Sequence, residues 1–435
     1  MLATLLRNLA TDIRPLKESR NFRLLMLGAL ITGIGTQMTL VALPYQVYVQ
    51  THSAFLTGLL GLAELGPLIL ASLYAGALAD RIDRRRLLLV CQIALTMLSA
   101  TLGVVTWLTT PRVGELFVLA ALIAGAAAVE RVARSAIVPN TVTPGHLKAA
   151  LSMSFGLMQV TMVIGPAIAG VVIDYFGLAV PYFIDAVSVL GMVVAAWALS
   201  PQAPPAQARS STVKSIRSGL RFVSRLQGLM ASFVIDLLAM TFGMPRALFP
   251  ILSIEVFHTG AFGAGILNSA VAAGATAAAL TTGWMGNARW LGRIVLGAVA
   301  VWGLAIAAAG FMTALWPAAV LFALAGAADS VSAVCRTTIT QTLTPDAMRG
   351  RVSAVFSLVV ASGPRLGDVE SGSVAAVTSP KFSVVSGGLA CLVSVGVIAL
   401  LMPGLAAYDT EKAEAEMLAA HQAHIDAGAS GAAVP

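Results

Sequence analysis

The sequence predicts an all-α membrane protein in which twelve transmembrane helices form two pseudo-symmetric bundles of six. The first reason is composition: 58% of the 435 residues are hydrophobic and only 11% are charged, whereas soluble domains carry about 25% charged residues. The mean hydropathy of +0.87 agrees with this. The second reason is a series of apolar segments that reach the roughly 20 residues needed to cross a bilayer. The third is an internal repeat.

The repeat relates two stretches of the chain at a constant offset of 201 residues. Each stretch is an apolar run that ends in a short polar loop and restarts as another apolar run. The matching positions are Gly125 and Gly326, Thr143-Pro144 and Thr344-Pro345, Ser152 and Ser353, Phe155 and Phe356, and Leu157 and Leu358. A half-chain duplication in so apolar a sequence indicates two related helix bundles that face each other. Many transporters are built in this way, with a substrate site at the seam between the repeats.

The twelve predicted spans fall into two groups of six. They cover residues 22–49, 54–79, 86–109, 114–139, 149–174, 178–200, 226–254, 261–285, 292–311, 315–340, 350–378 and 382–403. The first group forms an N-terminal bundle (22–200) and the second a C-terminal bundle (226–403). We expect a cytoplasmic N-terminal segment (1–21), a cytoplasmic linker (201–225) and a cytoplasmic tail (404–435) around them.

The positions of lysine and arginine predict the orientation, because short basic loops stay on the cytoplasmic side. Loops after odd-numbered spans carry almost no positive charge, whereas loops after even-numbered spans are basic. The basic loops contain Arg81, Arg84, Arg85, Arg86, Lys148, Arg289, Arg293, Arg349 and Arg351. Both termini are therefore expected in the cytoplasm, with the chain in the inner membrane. This topology also explains the net charge of +7, and no basic face with interleaved aromatic residues indicates nucleic-acid binding.

The linker is predicted to contain a basic amphipathic helix that lies on the inner leaflet and joins the two halves. Its apolar positions recur at helical spacing between basic ones, at Val213, Ile216, Leu220 and Val223 among Lys214, Arg217 and Arg221. The tail begins with acidic residues and ends in alanine and glycine, a composition typical of disorder.

The loop after span 2 carries the most specific motif. It reads Gly76-Ala-Leu-Ala-Asp80-Arg81-Ile-Asp83-Arg84-Arg85. It resembles the signature loop of the major facilitator superfamily, Gly-x-Leu-x-Asp-Arg-x-Gly-Arg-Lys/Arg, from which only Asp83 departs. The resemblance implies the major facilitator fold and a gating motif made of Gly76, Asp80, Arg81, Arg84 and Arg85. In that interpretation Gly76 lets helices approach, and the arginines hold neighbouring helix ends or lipid phosphates; the alternative is a basic loop that only sets orientation.

Two further resemblances concern export. Span 5 contains Gly165-Pro166-Ala-Ile-Ala-Gly170, which resembles the end of the antiporter motif of exporter members, although the same residues are also typical of plain helix packing. Residues 20–405 resemble the enterobactin-exporter group of the superfamily. The segments that carry this likeness are Val41-Ala-Leu-Pro44, Thr51-His-Ser53, Arg246-Ala-Leu-Phe-Pro250 and Gln341-Thr-Leu-Thr-Pro345. The resemblance implies proton-driven export of catecholate siderophores or drugs.

Charged residues inside predicted spans are costly to bury and therefore mark candidate functional positions. The candidates for cavity and proton-coupling charges are Glu130, Arg131, Asp236, Arg246, Asp329, Arg365 and Asp368. In the superfamily, spans 1, 4, 7 and 10 line the central cavity, and most of the candidates lie on these spans. Asp329 and Arg365 are both expected near the bilayer midplane, where they could pair.

Other charges near the span ends have simpler interpretations. Arg134 and Arg336 are expected to anchor their spans at the inner surface, and Arg134 could pair with Asp80. Asp174 and Asp185 flank an external loop, so we expect them at the surface.

A proton-coupled exporter needs an acid in its cavity, and span 1 offers only Gln37. We therefore expect Glu130, Asp236 or Asp329 to carry the transported proton, with Asp368, Glu370 and Glu64 in reserve. A structural ion pair is the competing interpretation for each.

The sequence contains no Walker loop, no Gly-x-Ser-x-Gly elbow and no metal-ligand spacing, so we expect no enzyme activity, cofactor or metal. The function predicted best is proton-coupled export of a mid-sized amphipathic small molecule, a siderophore or a drug, by alternating access. The alternatives are a solute importer of the same fold, which would be a proton symporter, and a non-transporting sensor or scaffold. The expected partners are the small-molecule substrate, protons and the lipid bilayer, and we expect a monomer.

Overall fold

The computed structural model describes residues 13–202 and 212–411. Within these two ranges the chain forms helices and no strand. Twelve of the helices are long and apolar enough to cross a membrane. The predicted fold class is confirmed.

The twelve spanning helices, α1 to α12, match the predicted spans to within a few residues. They are α1 (Arg20–Thr51), α2 (Ala54–Arg81), α3 (Arg84–Leu108), α4 (Val113–Ile137), α5 (Leu147–Phe176), α6 (Ala179–Ala198), α7 (Gln227–Phe242), α8 (Gly260–Thr281), α9 (Leu291–Gly310), α10 (Leu315–Leu343), α11 (Asp346–Val377) and α12 (Pro380–Leu401). After α7, short helical turns carry the seventh span on to Val256.

The longest helices exceed the thickness of a membrane. α1 and α11 have 32 residues each, which corresponds to about 48 Å at 1.5 Å per residue. A hydrocarbon core is only about 30 Å thick. These helices must therefore tilt or extend beyond the membrane at one end.

The two halves repeat the same packing. In the N-terminal half, α1 packs on α5 and α6, α3 packs on α4 and α6, and α2 packs on α4. In the C-terminal half, the same contacts recur six helices later: α7 packs on α11 and α12, α9 on α10 and α12, and α8 on α10. The halves meet through α2 with α11 and through α5 with α8, and these two contacts are also equivalent under the repeat.

We name the two ends of the bundle by their charge. The basic end carries Arg81–Arg86, Arg289–Arg293 and Arg349–Arg351, and the neutral end is the opposite one. At the neutral end the chain turns tightly between α1 and α2, where His52 has a φ of 47°, and between α5 and α6, where Gly177 has a φ of 84°.

The predicted linker helix is present as Thr212–Val223, and residues 203–211 of the linker lie outside the described residues. Part of the apolar side of this helix packs on protein, whereas Leu220 is exposed. Val223 is buried in a cluster with Leu229 and Phe233 of α7 and with Val352 and Val355 of α11. The linker helix therefore forms part of the basic end.

The first residues of the tail are folded, although we expected 404–435 to be disordered. A short helix, Pro403–Ala406, follows α12, and the buried Tyr408 contacts the hydroxyl of Thr342. The backbone N–H of Thr410 then donates to the carbonyl oxygen of Arg289 at 2.9 Å. These contacts anchor the beginning of the tail to the loop between α8 and α9, while 412–435 lie outside the described residues.

The two repeated glycines provide a test of the packing. A methyl group at position 326 would lie 2.0 Å from the carbonyl oxygen of Val271, whereas at position 125 its nearest neighbour would be 3.6 Å away. We expect Gly326→Ala to destabilise the protein by about 1–3 kcal/mol through overpacking. Gly125→Ala should leave stability unchanged or slightly increased, because alanine favours helix. Thermal unfolding of the purified variants in detergent measures both, and equal melting temperatures would contradict the packing difference.

Candidate functional site

A polar cavity lies at the seam between the two halves. It has a volume of about 140 Å³. Its wall comes from α1, α2, α5, α8 and α11 and from the turns that follow α7. The lining residues are Gln37, Leu40, Val41, Pro44, Thr57, Leu60, Gly61, Glu64, Pro166, Arg246, Ala247, Pro250, Ala264, Asn268, Pro364, Arg365 and Asp368.

The neutral end of the seam is closed by contacts between the halves. The carboxylate of Asp174 on α5 accepts hydrogen bonds from the backbone N–H groups of Ala261 and Phe262, both at 2.9 Å. These are among the first amides of α8, which needs such an acceptor because its own N-cap residue, Thr259, makes no side-chain cap bond. The hydroxyl of Tyr48 on α1 also donates to the carboxylate of Glu255 beyond α7. Asp174 is at the surface, as predicted, but it joins the two halves there.

Glycines let the halves approach closely at both equivalent contacts. A methyl group on Gly170 of α5 would lie 2.6 Å from the carbonyl oxygen of Ala261, and one on Gly265 of α8 would lie 2.3 Å from that of Pro166. Gly58 of α2 and Gly372 of α11 form the corresponding crossing. The structure thus places Gly170 at the seam and Pro166 in the cavity wall.

Gly165, the first residue of the same motif, has a different contact. A methyl group there would meet the side chain of Gln37 on α1, inside the N-terminal half, at 2.5 Å. The motif residues therefore serve close helix packing on two sides of α5, in agreement with the packing interpretation.

Four charged side chains line the cavity, and three of them, Arg246, Arg365 and Asp368, are among the predicted candidates. The fourth is Glu64, which we held in reserve. Glu64 Oε2 pairs with Arg365 Nη2 at 3.4 Å, and this pair joins α2 to α11 across the seam. The predicted pair between Asp329 and Arg365 is wrong, because Arg365 pairs with Glu64 instead.

Span 7 is discontinuous, which the sequence analysis missed. α7 ends at Phe242, and the helix restarts only at Arg246, after Gly243, Met244 and Pro245. Two side chains satisfy the freed backbone groups: the buried Trp302 donates through Nε1 to the carbonyl oxygen of Gly243 at 2.7 Å, and Asp368 Oδ1 accepts from the N–H of Ala247 at 3.0 Å. Glycine and proline within three residues, with Pro250 five residues on, were the available signal, because interrupted spans often form transporter binding sites.

A second charged cluster is buried inside the C-terminal half. Arg336 Nη2 on α10 lies 2.7 Å from Asp236 Oδ1 on α7 and 3.6 Å from Asp329 Oδ1, and Arg336 Nη1 donates to the hydroxyl of Ser332 at 2.8 Å. The side chains of Asp236 and Arg336 are each 1% exposed. Arg336 is therefore a buried ion-pair partner and not an anchor at the surface. Neither Asp236 nor Asp329 belongs to the cavity wall, although both were expected there.

In the charged cluster of the N-terminal half the arginines are more exposed, whereas Glu130 is buried. Arg134 pairs with Glu130 one turn earlier on α4 at 3.1 Å, and Gln92 on α3 donates to the same carboxylate at 3.2 Å. The suggested partner of Arg134, Asp80, is not the one observed. Arg131 is exposed next to this pair, and neither it nor Glu130 lines the cavity.

Asp185 on α6 is buried, contrary to our expectation of a surface position. Its side chain accepts hydrogen bonds from the hydroxyls of Thr39 on α1 and Ser99 on α3, each at 2.8 Å. The residue is 3% exposed. It therefore holds three helices of the N-terminal half together.

Two arginines of the loop after α2, Arg84 and Arg85, contact neighbouring helix ends, as we expected. Arg84 donates to the carbonyl oxygen of Ala136 at the end of α4, and Arg85 donates to that of Ala196 near the end of α6 at 3.1 Å. Asp83, the departure from the family motif, caps α3 by accepting from the N–H of Arg85 at 2.9 Å.

The other motif residues show less contact. A methyl group on Gly76 would meet nothing within 4 Å, so this glycine is not required for helix approach as we had expected. Asp80 and Arg81 form no ion pair with any described residue. Within 13–202 and 212–411, no group of three metal-ligating side chains is found either.

Twelve helices in two equivalent halves, with a charged cavity at their seam, define a membrane transporter of the major facilitator superfamily. The sequence profile of one family of this superfamily, the transmembrane secretion effectors, matches residues 10–428, and the chain belongs to that family.

Two relatives with similar sequences are exporters. The chain is 27% identical over 397 residues to the enterobactin exporter EntS of Shigella boydii serotype 4. The aligned region covers 90% of this chain and 94% of the relative. It is also 27% identical to the exporter of the same name from Citrobacter koseri, over 399 residues, 90% of this chain and 94% of the relative. Both relatives are exporters by name.

Solved structures share the fold at low identity. The nucleoside transporter NupG (D323A mutant) superposes with a TM-score of 0.73 at 13% identity, covering 88% of this chain and 99% of that one. A POT family transporter in complex with 5-aminolevulinic acid gives a TM-score of 0.71 at 11% identity, covering 89% and 97%.

The two arginine ion pairs should differ in their effect on stability. Arg336→Gln leaves Asp236 buried without a counter-charge, which we expect to cost about 3–5 kcal/mol. Arg134→Gln should cost less, because the Arg134 side chain is 34% exposed and Gln92 still donates to Glu130. Unfolding of the purified variants in detergent measures both. The double variant Asp236→Asn with Arg336→Gln should recover part of the loss, and a wild-type melting temperature for Arg336→Gln alone would contradict the buried pair.

Proposed function

We propose that this transporter exports a mid-sized amphipathic small molecule, such as a siderophore or a drug, from the cytoplasm across the inner membrane. The observation that carries the proposal is a seam cavity whose neutral end is closed by contacts between the halves, through Asp174 and the paired glycines Gly170 and Gly265. When the halves rock, these contacts separate and the same cavity opens to the other side. The names of the relatives support an exported cargo, and the basic end supports cytoplasmic termini.

The cavity size fits a closed state of such a cycle. Its volume of about 140 Å³ is below the roughly 300–1,000 Å³ typical of pockets for drug-sized ligands. A mid-sized cargo therefore requires separation of the halves at one end before it can bind. Both halves of the cavity come from a single chain, which supports a monomer as the working unit.

We further propose that the Glu64–Arg365 pair couples export to protons. The pair connects α2 and α11 and therefore opposes separation of the halves. Protonation of Glu64 removes the negative charge of the pair. A cargo group that binds Arg365 replaces Glu64 as the partner of the positive charge. Either ligand would release the halves, whereas the empty, unprotonated carrier stays held. This is the behaviour that exchange of cargo for protons requires, and it moves the coupling role from Glu130, Asp236 and Asp329 to Glu64.

The gating role of the loop after α2 is part of the same proposal. Arg84 and Arg85 tie the basic ends of α4 and α6 to the start of α3, so they move these helix ends together. Asp80 and Arg81 have no described ion-pair partner and are available to contact the other half when the basic end closes.

Everted membrane vesicles test the direction of transport. When the vesicle interior is more acidic than the medium, we expect vesicles that contain the protein to take up a radiolabelled catecholate siderophore or tetracycline. Vesicles without the protein should show no such uptake. Uptake in right-side-out vesicles only would support the importer instead. Lack of uptake of these cargoes in both orientations would contradict the proposal.

Glu64→Gln tests the coupling. We expect gradient-driven accumulation to fall to the level of protein-free vesicles, while downhill exchange of the same cargo persists, because the variant can no longer hold the empty carrier. Glu130→Gln is the matched control, since Glu130 pairs within α4 and lies outside the cavity wall. Unchanged accumulation in Glu64→Gln, or a selective loss in Glu130→Gln, would overturn the assignment.

A further inference from the structure

One cation in the cavity has no partner of its own. Glu64 and Arg365 pair at 3.4 Å, and Asp368 accepts a hydrogen bond from the backbone of Ala247. The guanidinium of Arg246 makes no ion pair and no hydrogen bond with any described residue. Asp368 and Asp329 attract it at longer range, and Arg365 repels it.

The position of Arg246 is set by the interruption of span 7. It is the first residue of the turn that follows the break, and its side chain is exposed in the cavity wall. The backbone is held on both sides, by Trp302 at Gly243 and by Asp368 at Ala247. A broken helix inside a membrane is tolerated where it lines a cavity, and here the break presents a guanidinium to that cavity.

The surroundings of Arg246 suit an amphipathic anion. Three uncharged polar side chains share the wall with it: Gln37, Thr57 and Asn268. The remaining wall is largely aliphatic or proline. A guanidinium has five N–H donors in a planar arrangement that matches the two oxygens of a carboxylate, which ammonium or amide groups do not match as well.

We propose that Arg246 is a specificity-determining residue of the cavity, where it binds an anionic oxygen group of the cargo, such as a carboxylate. The role as a cargo site rests on the proposed function, but anion binding itself does not require transport. Asp368 lies beside the site as an internal competitor, because its negative charge partly neutralises Arg246. Removing that charge should therefore strengthen anion binding.

Two small probes that differ by one carboxylate provide the test. The purified full-length protein in detergent is titrated calorimetrically with 2,3-dihydroxybenzoate and with catechol. We expect the wild type to prefer the carboxylate by about tenfold or more, the range of hydrogen bonds to charged groups. Arg246→Gln should lose most of the preference, because the remaining cavity arginine, Arg365, is paired with Glu64, and Arg246→Lys should keep part of it. Asp368→Asn should tighten binding of dihydroxybenzoate and leave catechol unchanged.

Arg349→Gln is the matched control, because Arg349 is an exposed arginine at the basic end with 58% side-chain exposure, and its preference should equal that of the wild type. If gel filtration shows that Arg246→Gln does not fold, Arg246→Lys and Asp368→Asn provide the test instead. The anion site is overturned if both of these variants prefer the carboxylate to the same extent as the wild type. Equal affinities for the two probes in the wild type, or no binding of either, also overturn it. If binding depends on Arg246 but no transport is found, only the exporter proposal is overturned. If the protein shows no carboxylate preference, and both the wild type and Arg246→Gln export a neutral drug, only the anion site is overturned.

Discussion

Inside a bilayer no water is available to hydrogen-bond the peptide backbone, so each N–H and C=O group must find its partner within the protein. Twelve continuous or nearly continuous helices are the direct consequence. The interruption at Gly243–Pro245 departs from this rule, and two side chains compensate for it: Trp302 donates to one freed carbonyl and Asp368 accepts from one freed amide. Because Asp368 also lines the cavity, the residue that stabilises the break belongs to the candidate site.

The same constraint separates the intramembrane charges into two groups. Charges that are paired within one half, such as Asp236 with Arg336 and Glu130 with Arg134, keep the same neighbours while the halves move as units, so they suit a structural role. The Glu64–Arg365 pair instead joins the two halves, and its geometry must change when they move. A charge can respond to the transport cycle only if its surroundings differ between the states in which the cavity faces one side or the other. Proton coupling is therefore better assigned to the Glu64–Arg365 pair than to the charges paired within one half.

The fold could be predicted from the sequence because its signals are local. Apolar length predicts the spans, and the repeat predicts the two halves. The site was predicted less well because pairing depends on how helices are rotated about their axes. Asp329 and Arg365 were expected to pair from their depth alone, yet Arg336 is two turns along the same helix as Asp329 and is the partner that the structure shows. Depth places a residue along the membrane normal, and it does not say which neighbour the side chain faces.

The symmetry of the helices does not extend to the chemistry of their ends. Ser53 caps α2 from within its own half, through the N–H of Leu56, whereas the equivalent helix α8 is capped across the seam by Asp174. Separation of the neutral end would therefore leave α2 intact and remove the cap of α8. Loss of an N-cap typically costs about 0.5–2 kcal/mol, a free energy that favours the closed neutral end of one interface only. The seam is thus held by equivalent glycine crossings on both sides, but only the interface of α5 with α8 has a helix cap that crosses it, so the two interfaces need not open with equal ease.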